Sequence, residues 1–167
     1  MTRRLIYVAS SWRNQIHPEV IGSLRAHGHA VYDYRQGAVT RRDGDPLMAG
    51  AADYAAALEQ PAAVRAFKLD YAAMLAADTF VLLLPSGRSA HLELGWAVGG
   101  AGKRTAILLD HPGTPELAYR MVDMLTSSLD DLLRWLAAPG DEVSRAFDGY
   151  TPEHLRELFQ GRRCDTR

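Results

Sequence analysis

The stretch from residue 78 to residue 95, DTFVLLLPSGRSAHLELG, decides the fold. Its first part, Thr79–Leu84, is a continuous apolar run of the kind found in strands that are covered on both faces. A Pro-Ser-Gly turn follows, and a helical pattern then extends over His91–Ala101. The stretch therefore predicts a strand, a loop and a helix in succession, which is the repeating unit of a parallel α/β sheet.

The same alternation continues on both sides of this stretch. Short apolar or β-rich runs predict further strands at Leu5–Ala9, Ala30–Tyr34 and Arg104–Leu109. Helical patterns cover His17–His27, Ala51–Gln60, Ala62–Ala77 and Ser128–Ala138, and Thr114-Pro115-Glu116 is typical of the start of another helix. We therefore predict a doubly wound, flavodoxin-like or Rossmann-like α/β domain of three layers, whose parallel sheet has about five strands.

The chain divides at Pro139-Gly140. Residues 1–138 form the predicted α/β domain, and residues 139–167 form a C-terminal extension with a polar tail. Thr151-Pro152-Glu153 predicts one short helix in this extension. Residues 35–50 have no periodicity and are expected to form a mobile loop.

Composition narrows the class of protein. A chain of 167 residues with 47% hydrophobic and 23% charged residues suits one domain with a real core. No apolar run is long enough to span a bilayer, and the first residues lack a signal-peptide pattern. Cys164 is the only cysteine, which argues against a disulfide framework and a thiolate metal cluster. The net charge of −1 argues against nucleic acid polymers and membranes as partners, so we expect a cytoplasmic protein without metal or cofactor.

The topology predicts the position of a ligand site. In a doubly wound sheet, ligands bind beyond the carboxyl ends of the strands, where the strand order reverses. For a flavodoxin-like order, that crevice lies between Leu5–Ala9 and Thr79–Leu84. The loops Ser10–Asn14 and Pro85–Ala90 should therefore converge there.

Both loops carry polar side chains. Ser10, Ser11 and Arg13 suit an anion, because hydroxyl donors fix its position and the guanidinium supplies charge. The alternative is a simple turn in which Trp12 packs and Arg13 is solvated. In the second loop, Ser89 is expected to cap the following helix and to place Glu93 one turn inside it.

Three carboxylates lie on the predicted helices that flank Thr79–Leu84, or at the end of one of them. Glu93 is the only ionisable residue between Leu92 and Gly102, so it either serves a cleft or simply favours the helix N-terminus. Asp78 precedes the buried strand and is expected to hold backbone donors at that corner. Asp70 lies two helical turns earlier, and periodicity alone favours a solvated side chain there.

In combination, these features resemble the nucleoside 2-deoxyribosyltransferase-like superfamily, which includes 2′-deoxynucleoside 5′-phosphate N-hydrolases. The shared pattern is Tyr7 on the first strand, Asp70 and Asp78 before an apolar strand, a Gly/Ser loop, and Glu93-Leu94-Gly95-Trp96-Ala97. It extends over roughly residues 5–138 in order and spacing. The hydrolase branch is the nearer one in motif.

The resemblance implies a role for each matching residue. Glu93 would be the nucleophile that attacks the anomeric carbon, Asp70 would protonate the departing base, and Tyr7 would hold Glu93. Ser11 and Arg13 fall on the positions that bind a 5′-phosphate in the hydrolase branch. The remaining residues expected to bind substrate are Ser10, Ser86, Gly87, Arg88 and Ser89.

The sequence departs from the family at Gly87-Arg88-Ser89. Relatives have Gly-Thr or Asp in this loop, and this chain has Arg88. If Arg88 is directed into the crevice, its charge favours an anionic substrate. If it is directed outward, it has no such effect.

Three functions follow as hypotheses. The first is hydrolysis of (deoxy)nucleoside 5′-monophosphates at the N-glycosidic bond. The second is transfer of the sugar between bases, and the third is a non-catalytic module that binds a nucleotide or an NAD-derived signal; NAD hydrolysis by Glu93 is a further possibility. Family members are homo-oligomers, and an apolar surface is expected to support such assembly around Trp96, Val98, Tyr119, Met121, Val122, Met124 and Leu125.

Overall fold

The computed structural model, which describes residues 3–36, 50–111 and 116–139, contains a five-stranded sheet. The strands are β1 Leu5–Ala9, β2 Ala30–Tyr32, β3 Thr79–Leu83, β4 Arg104–Leu108 and β5 Met124–Thr126. The α-helices are α1 His17–Ala26, α2 Tyr54–Leu58, α3 Pro61–Ala76, α4 Arg88–Gly99 and α5 Leu129–Ala137, and short 3₁₀ helices cover Tyr34–Gln36 and Leu117–Met121.

The sheet has the order β2-β1-β3-β4-β5, and every neighbouring pair is parallel. The chain thus winds outward from β1 on one side and from β3 on the other, so the order reverses between these two strands. This confirms the predicted doubly wound α/β fold, and the reversal of strand order, where a ligand crevice is predicted, lies between β1 and β3.

Alternate strand residues form two separate cores, one on each face of the sheet. On one face, Ile6, Val8, Val81 and Leu83 pack with apolar residues of α1 and α5. On the other face, Tyr7, Ala9, Phe80 and Leu82 pack with residues of α3 and α4. The continuous apolar run of β3 is therefore explained, because every residue of this strand is buried.

Residue chemistry matches the local backbone at several positions. Gly28, two residues beyond the end of α1, has a φ of +86°, a conformation that residues with a side chain rarely adopt. Pro61 is the first residue of α3, where a missing N–H costs nothing. The hydroxyl of Ser128 caps α5 by accepting from the Asp131 N–H at 3.2 Å. Asp78 accepts from the backbone N–H of Leu5 at 2.9 Å, which is the structural role expected for it.

Two predictions are wrong. The segment after Glu116 does not continue as an α-helix; it forms the 3₁₀ helix Leu117–Met121 and then strand β5. Ser89 does not cap α4 either, because this helix begins at Arg88 and the residue preceding it is Gly87, in extended conformation. Helix α4 therefore begins three residues before the predicted His91.

The strand found after Glu116 also changes the interpretation of the expected apolar surface. Trp96, Val98, Tyr119 and Val122 pack against the core shared with α3 and α4, and Met124 packs against the other core. Met121 and Leu125 remain substantially exposed. The apolar excess in this region is therefore largely explained by a fifth strand and a tight turn that bury it.

Other predictions lie outside the described residues. They are most of the loop 35–50, the Thr114-Pro115 cap, the extension beyond Pro139 with its short helix, and Cys164. Within the described ranges, no helix has the length and apolar character needed to cross a membrane.

Candidate active site

The two predicted loops meet at the carboxyl ends of β1 and β3. The side-chain amide of Asn14 donates to the carbonyls of Leu84 at 2.9 Å and Pro85 at 3.2 Å. Ser10 donates from its hydroxyl to the Leu83 carbonyl at 2.8 Å, and Asn14 also donates to this hydroxyl at 3.0 Å. Asn14 is buried, so these bonds form in a dry environment and fix one loop against the other.

Arg35 fixes the first loop from a second side. Its guanidinium Nη2 donates to the carbonyls of Ser11 at 2.7 Å and Asn14 at 2.8 Å. Charge-assisted bonds of this length are stronger than those between neutral groups. The loop that follows β1 is therefore held to the end of β2 as well as to the loop after β3.

Three aromatic rings lie side by side across the sheet below the crevice. Tyr7 is in register with Tyr32 on β2 and with Phe80 on β3. The Tyr7 ring stacks on both neighbours, with centroids 5.4 Å from Tyr32 and 4.8 Å from Phe80. Such stacking restrains ring orientation, so the two tyrosine hydroxyls have defined positions on the face of the sheet that carries α3 and α4.

Each tyrosine hydroxyl contacts one carboxylate. Tyr7 lies 3.5 Å from Oε2 of Glu93 on α4, the outer limit of a hydrogen bond. Tyr32 donates to Oδ1 of Asp70 on α3 at 2.7 Å. The structure thus brings Tyr7 and Glu93 together, as the resemblance implied, and it gives Asp70 a strong partner that the sequence had not indicated.

Both carboxyl groups are poorly solvated. The pKa of Glu93 is raised from 4.5 to about 7, chiefly by burial and also by the charge of Asp70, while the hydrogen bond from Tyr7 partly offsets the rise. Burial also raises the pKa of Asp70, which the hydrogen bond from Tyr32 lowers. The charge of Asp70 acts on Glu93, so the two groups are electrostatic neighbours, and such neighbours titrate as a pair. A cleft with this property is typical of acid–base chemistry.

The hydroxyls themselves stay protonated. Burial, followed by the charges of Glu93 and Asp70, raises the pKa of Tyr7 well above its ordinary value. Burial and the hydrogen bond to Asp70 likewise raise the pKa of Tyr32. Both tyrosines are therefore permanent hydrogen-bond donors in the neutral range.

The second loop is fixed through His91 rather than through Ser89. His91 Nδ1 lies 3.0 Å from the Gly87 carbonyl and 3.3 Å from the Ser86 hydroxyl, and Nε2 lies 2.9 Å from the Tyr119 hydroxyl. Because a carbonyl can only accept, Nδ1 carries the proton and Nε2 accepts from Tyr119. Ser86 and Gly87 are thus tied to α4, whereas Ser89 is exposed on its first turn.

The basic residues expected to bind an anion are Arg13, in the loop after β1, and Arg88, the first residue of α4. Both are exposed, and neither guanidinium has a hydrogen bond or ion pair with residues 3–36, 50–111 or 116–139. The Ser11 hydroxyl accepts from the Arg13 N–H at 3.1 Å, which shapes the turn. Trp12 packs edge-on against Tyr34, with the ring centroids 5.1 Å apart. The loop therefore combines a packed tryptophan with a solvated arginine.

Sequence reasoning missed Tyr32, Asn14 and Arg35 as site-forming residues. Tyr32 had a usable signal, since a strand paired with β1 places one side chain in register with Tyr7. Asn14 and Arg35 act through bonds to backbone carbonyls of other segments, and no sequence pattern encodes such bonds. Within the described ranges, no group of three or more His, Cys, Asp or Glu side chains could hold a metal ion.

Comparison with known proteins supports the fold. The sequence matches no protein-family model and no curated protein sequence. Its structure is similar to that of a 2-deoxyribosyltransferase from the psychrotolerant bacterium Bacillus psychrosaccharolyticus, with a TM-score of 0.56 and 18% identity over 77% of this chain and 89% of that chain. A conserved protein from Enterococcus faecalis V583 gives a TM-score of 0.55 and 17% identity over 80% and 96%. At such identities the likeness concerns the fold.

Proposed function

We propose that this protein is an N-glycosidase that hydrolyses (deoxy)nucleoside 5′-monophosphates, with Glu93 as nucleophile and Asp70 as proton donor to the base. The observation that carries the proposal is the pair of poorly solvated carboxyl groups, each held by one of two stacked tyrosines. They lie on helices α3 and α4, on the face of the sheet that also carries the Tyr7 side chain. Glycosidic cleavage commonly uses two such carboxyl groups.

The proposed reaction has two steps. In the first, a Glu93 oxygen bonds to the anomeric carbon while the carbon–nitrogen bond breaks and its electron pair passes to the base. Asp70 gives its proton to the base in the same step, so the leaving group is neutral. In the second step, Asp70 takes a proton from water, whose oxygen displaces Glu93 from the sugar. Free base and sugar phosphate are released, and both carboxyl groups return to their starting state.

The pair must hold one proton for this reaction. With Asp70 ionised, Glu93 keeps a proton up to about pH 7 in the unliganded protein, because burial opposes its charge. The reactive arrangement places that proton on Asp70 and leaves Glu93 ionised. The approach to the transition state would favour this arrangement, since the positive charge that then develops on the sugar stabilises a carboxylate beside it.

Arg13 and Arg88 support a phosphorylated substrate. Arg13 lies in the loop after β1, and Arg88 is the first residue of α4, directly after the loop that follows β3. Both guanidinium groups are exposed, and neither is engaged within the part of the chain that the structure describes. A phosphate between them would receive charge-assisted bonds from both loops. A neutral nucleoside would gain nothing from either group.

Transfer of the sugar to a second base is the alternative activity, and the similarity to a 2-deoxyribosyltransferase favours it. The same glycosyl–enzyme intermediate would serve both reactions, with a base instead of water as acceptor. Incubation of a deoxynucleoside, or its 5′-monophosphate, with a second free base separates the two. A new nucleoside indicates transfer, whereas free base and sugar alone indicate hydrolysis.

We also propose that the protein assembles as a homo-oligomer. Exposed apolar side chains on α3 and α4 support this idea, since Phe67 is 64% exposed, Leu75 57% and Leu92 78%. Light scattering at micromolar concentration tests it. A fully active monomer would contradict it.

The decisive experiment is a panel of nucleosides and their 5′-monophosphates, assayed for release of free base. We expect release from monophosphates in preference to nucleosides. A protein that bound nucleotides without releasing base would instead be a binding module. The poorly solvated carboxyl groups argue against that module, because binding an anion without reaction gains nothing from them.

A further inference from the structure

Tyr32 differs from Tyr7 in what its hydroxyl can do for its carboxylate. Its bond to Asp70 Oδ1 is 2.7 Å long, short enough for a strong charge-assisted hydrogen bond. The Tyr7 hydroxyl is 3.5 Å from Glu93 and is a much weaker partner. Asp70 therefore has one oxygen firmly bound.

The other oxygen of Asp70 is left for a ligand. Oδ2 has no hydrogen-bond partner among the described residues, and the side chain is only partly buried. The ring of Tyr32 is itself held by stacking on Tyr7 in the strand register Tyr7↔Tyr32. The geometry of Asp70 is thus set by a ring that is fixed by the sheet and not by flexible contacts within α3.

We propose that Tyr32 is a positioning residue, which holds Oδ1 of Asp70 so that Oδ2 presents its proton to the departing base. This inference rests on the proposed function, because it assigns Tyr32 a task within that reaction. The bond at Oδ1 is compatible with both states of Asp70, since the proton resides on Oδ2 before transfer and on the base after it.

The contribution of Tyr32 grows as the reaction proceeds. Asp70 is neutral before it gives up the proton and negative afterwards, and a hydroxyl donor binds a carboxylate more strongly than a carboxylic acid. Interactions that strengthen towards the transition state raise kcat, whereas interactions of equal strength throughout change only KM. Tyr32 should therefore act on kcat.

The test compares Tyr32→Phe with Tyr71→Phe. Each variant removes one hydroxyl and keeps the ring. Tyr71 follows Asp70 on α3, but its ring faces Phe67 and Trp96, and its hydroxyl has no hydrogen bond among the described residues. Circular dichroism confirms that each variant is folded before kinetics are measured on the full chain with a deoxynucleoside 5′-monophosphate that the wild-type protein turns over.

Tyr32→Phe should lower kcat by about 10- to 100-fold, as expected for loss of orientation at a reacting group, with KM changed by less than about threefold. The acid limb of the pH–rate profile reflects uptake of a second proton by the carboxyl pair, and this proton binds Asp70. That limb should move to higher pH in Tyr32→Phe, because the removed bond lowers the pKa of Asp70. A ¹³C titration of the Asp70 carboxyl in the unliganded protein should show the same direction of change. Tyr71→Phe should behave as wild type in all three measurements.

Two outcomes would overturn the inference and leave the proposed function intact. One is an active wild-type protein whose kcat and pH profile Tyr32→Phe does not change. The other is a loss that appears equally in Tyr71→Phe, which would indicate a general effect on α3. By contrast, absence of base release from every nucleotide by the wild-type protein would overturn the proposed function itself, whatever the Asp70 titration shows.

Discussion

The two tyrosine–carboxylate pairs are alike in construction and different in strength. Each joins a strand to a helix, β1 to α4 in one case and β2 to α3 in the other, and the two rings stack on each other. Yet the hydroxyl–carboxylate distance is 3.5 Å for Tyr7 and Glu93 and 2.7 Å for Tyr32 and Asp70. Glu93 thus has the weaker partner and the larger rise in pKa.

The two distances distinguish a carboxylate suited to react, Glu93, from one that a strong hydrogen bond supports, Asp70. A carboxylate with little solvation and a weak partner is unstable as an anion, and bonding to a developing cation relieves that instability. A carboxylate with a strong donor is stable as an anion, and it gives up its proton more easily. The pairs are therefore suited to the two roles proposed for them, Glu93 as nucleophile and Asp70 as acid.

The largest expected effect comes from removing the proposed nucleophile. Glu93→Gln should lower kcat for base release by more than about 10³-fold, because it removes the group that bonds to the sugar. The variant should remain folded, since Gln keeps the size of the side chain. Initial rates on a deoxynucleoside 5′-monophosphate measure the effect.

Glu59→Gln provides the matched control, because Glu59 is exposed after α2. It should retain wild-type rates. Near-normal turnover by Glu93→Gln would show that the two pairs do not differ in the way proposed.

The next effect comes from the supported carboxylate. Asp70→Asn should lower kcat by about 10²- to 10⁴-fold, the usual contribution of general acid catalysis, and should change KM less. Asp130→Asn is the control, since Asp130 is exposed on α5 at the opposite face of the sheet. Weaker binding at unchanged turnover would make Asp70 a ligand for sugar or base instead of an acid.

The sequence predicted one arm of this comparison better than the other. The apolar run of β3 and the isolated Glu93 are local signals, and with an assumed flavodoxin-like strand order they predicted the crevice and the helix beside it. The sequence did not predict a role for Tyr32, because that role depends on contacts with two other segments, β1 and α3. A three-residue strand also gives too short a pattern to say which of its side chains reaches a site.

The edge of the sheet shows the same limit. The residues after Glu116 combine apolar spacing that suits a helix with a length that suits a strand, and periodicity cannot decide between them. Pairing with β4 decides it, through registers such as Ala106↔Met124 and Leu108↔Thr126. Sequence reasoning thus succeeded where a segment is buried on both faces and failed where a neighbouring strand determines the structure.

A smaller effect should come from Arg13, which belongs to neither tyrosine–carboxylate pair. Arg13→Ala should raise KM for a deoxynucleoside 5′-monophosphate by about one to two decades, because a charge-assisted hydrogen bond contributes about 1.5–3 kcal/mol. The unphosphorylated nucleoside should be affected little, and the pH profile should not move. Arg3→Ala is the control, because Arg3 is exposed at the amino end of β1.

Equal losses with both substrates would show that Arg13 supports the loop and does not contact phosphate. A wild-type preference for the nucleoside would move base exchange ahead of nucleotide hydrolysis.

The smallest expected effect is on stability, and it tests the electrostatic half of the comparison without substrate. Burial raises the pKa of Glu93 to about 7, so the folded state binds this proton more tightly than the unfolded state does. The resulting stabilisation is fully present below about pH 4.5 and is lost as the pH rises through about 7.

Because Gln does not ionise, Glu93→Gln avoids that loss. Relative to wild type, its free energy of unfolding should rise by about 1–2 kcal/mol between about pH 4.5 and about pH 8 in urea titrations. The full change in pKa would correspond to about 3 kcal/mol, but residual solvent access reduces it. The exposed control Glu59→Gln should show no such trend. A constant difference between Glu93→Gln and wild type across this range would mean that Glu93 is solvated like a surface carboxylate, and the contrast between the two pairs would then lose its physical basis.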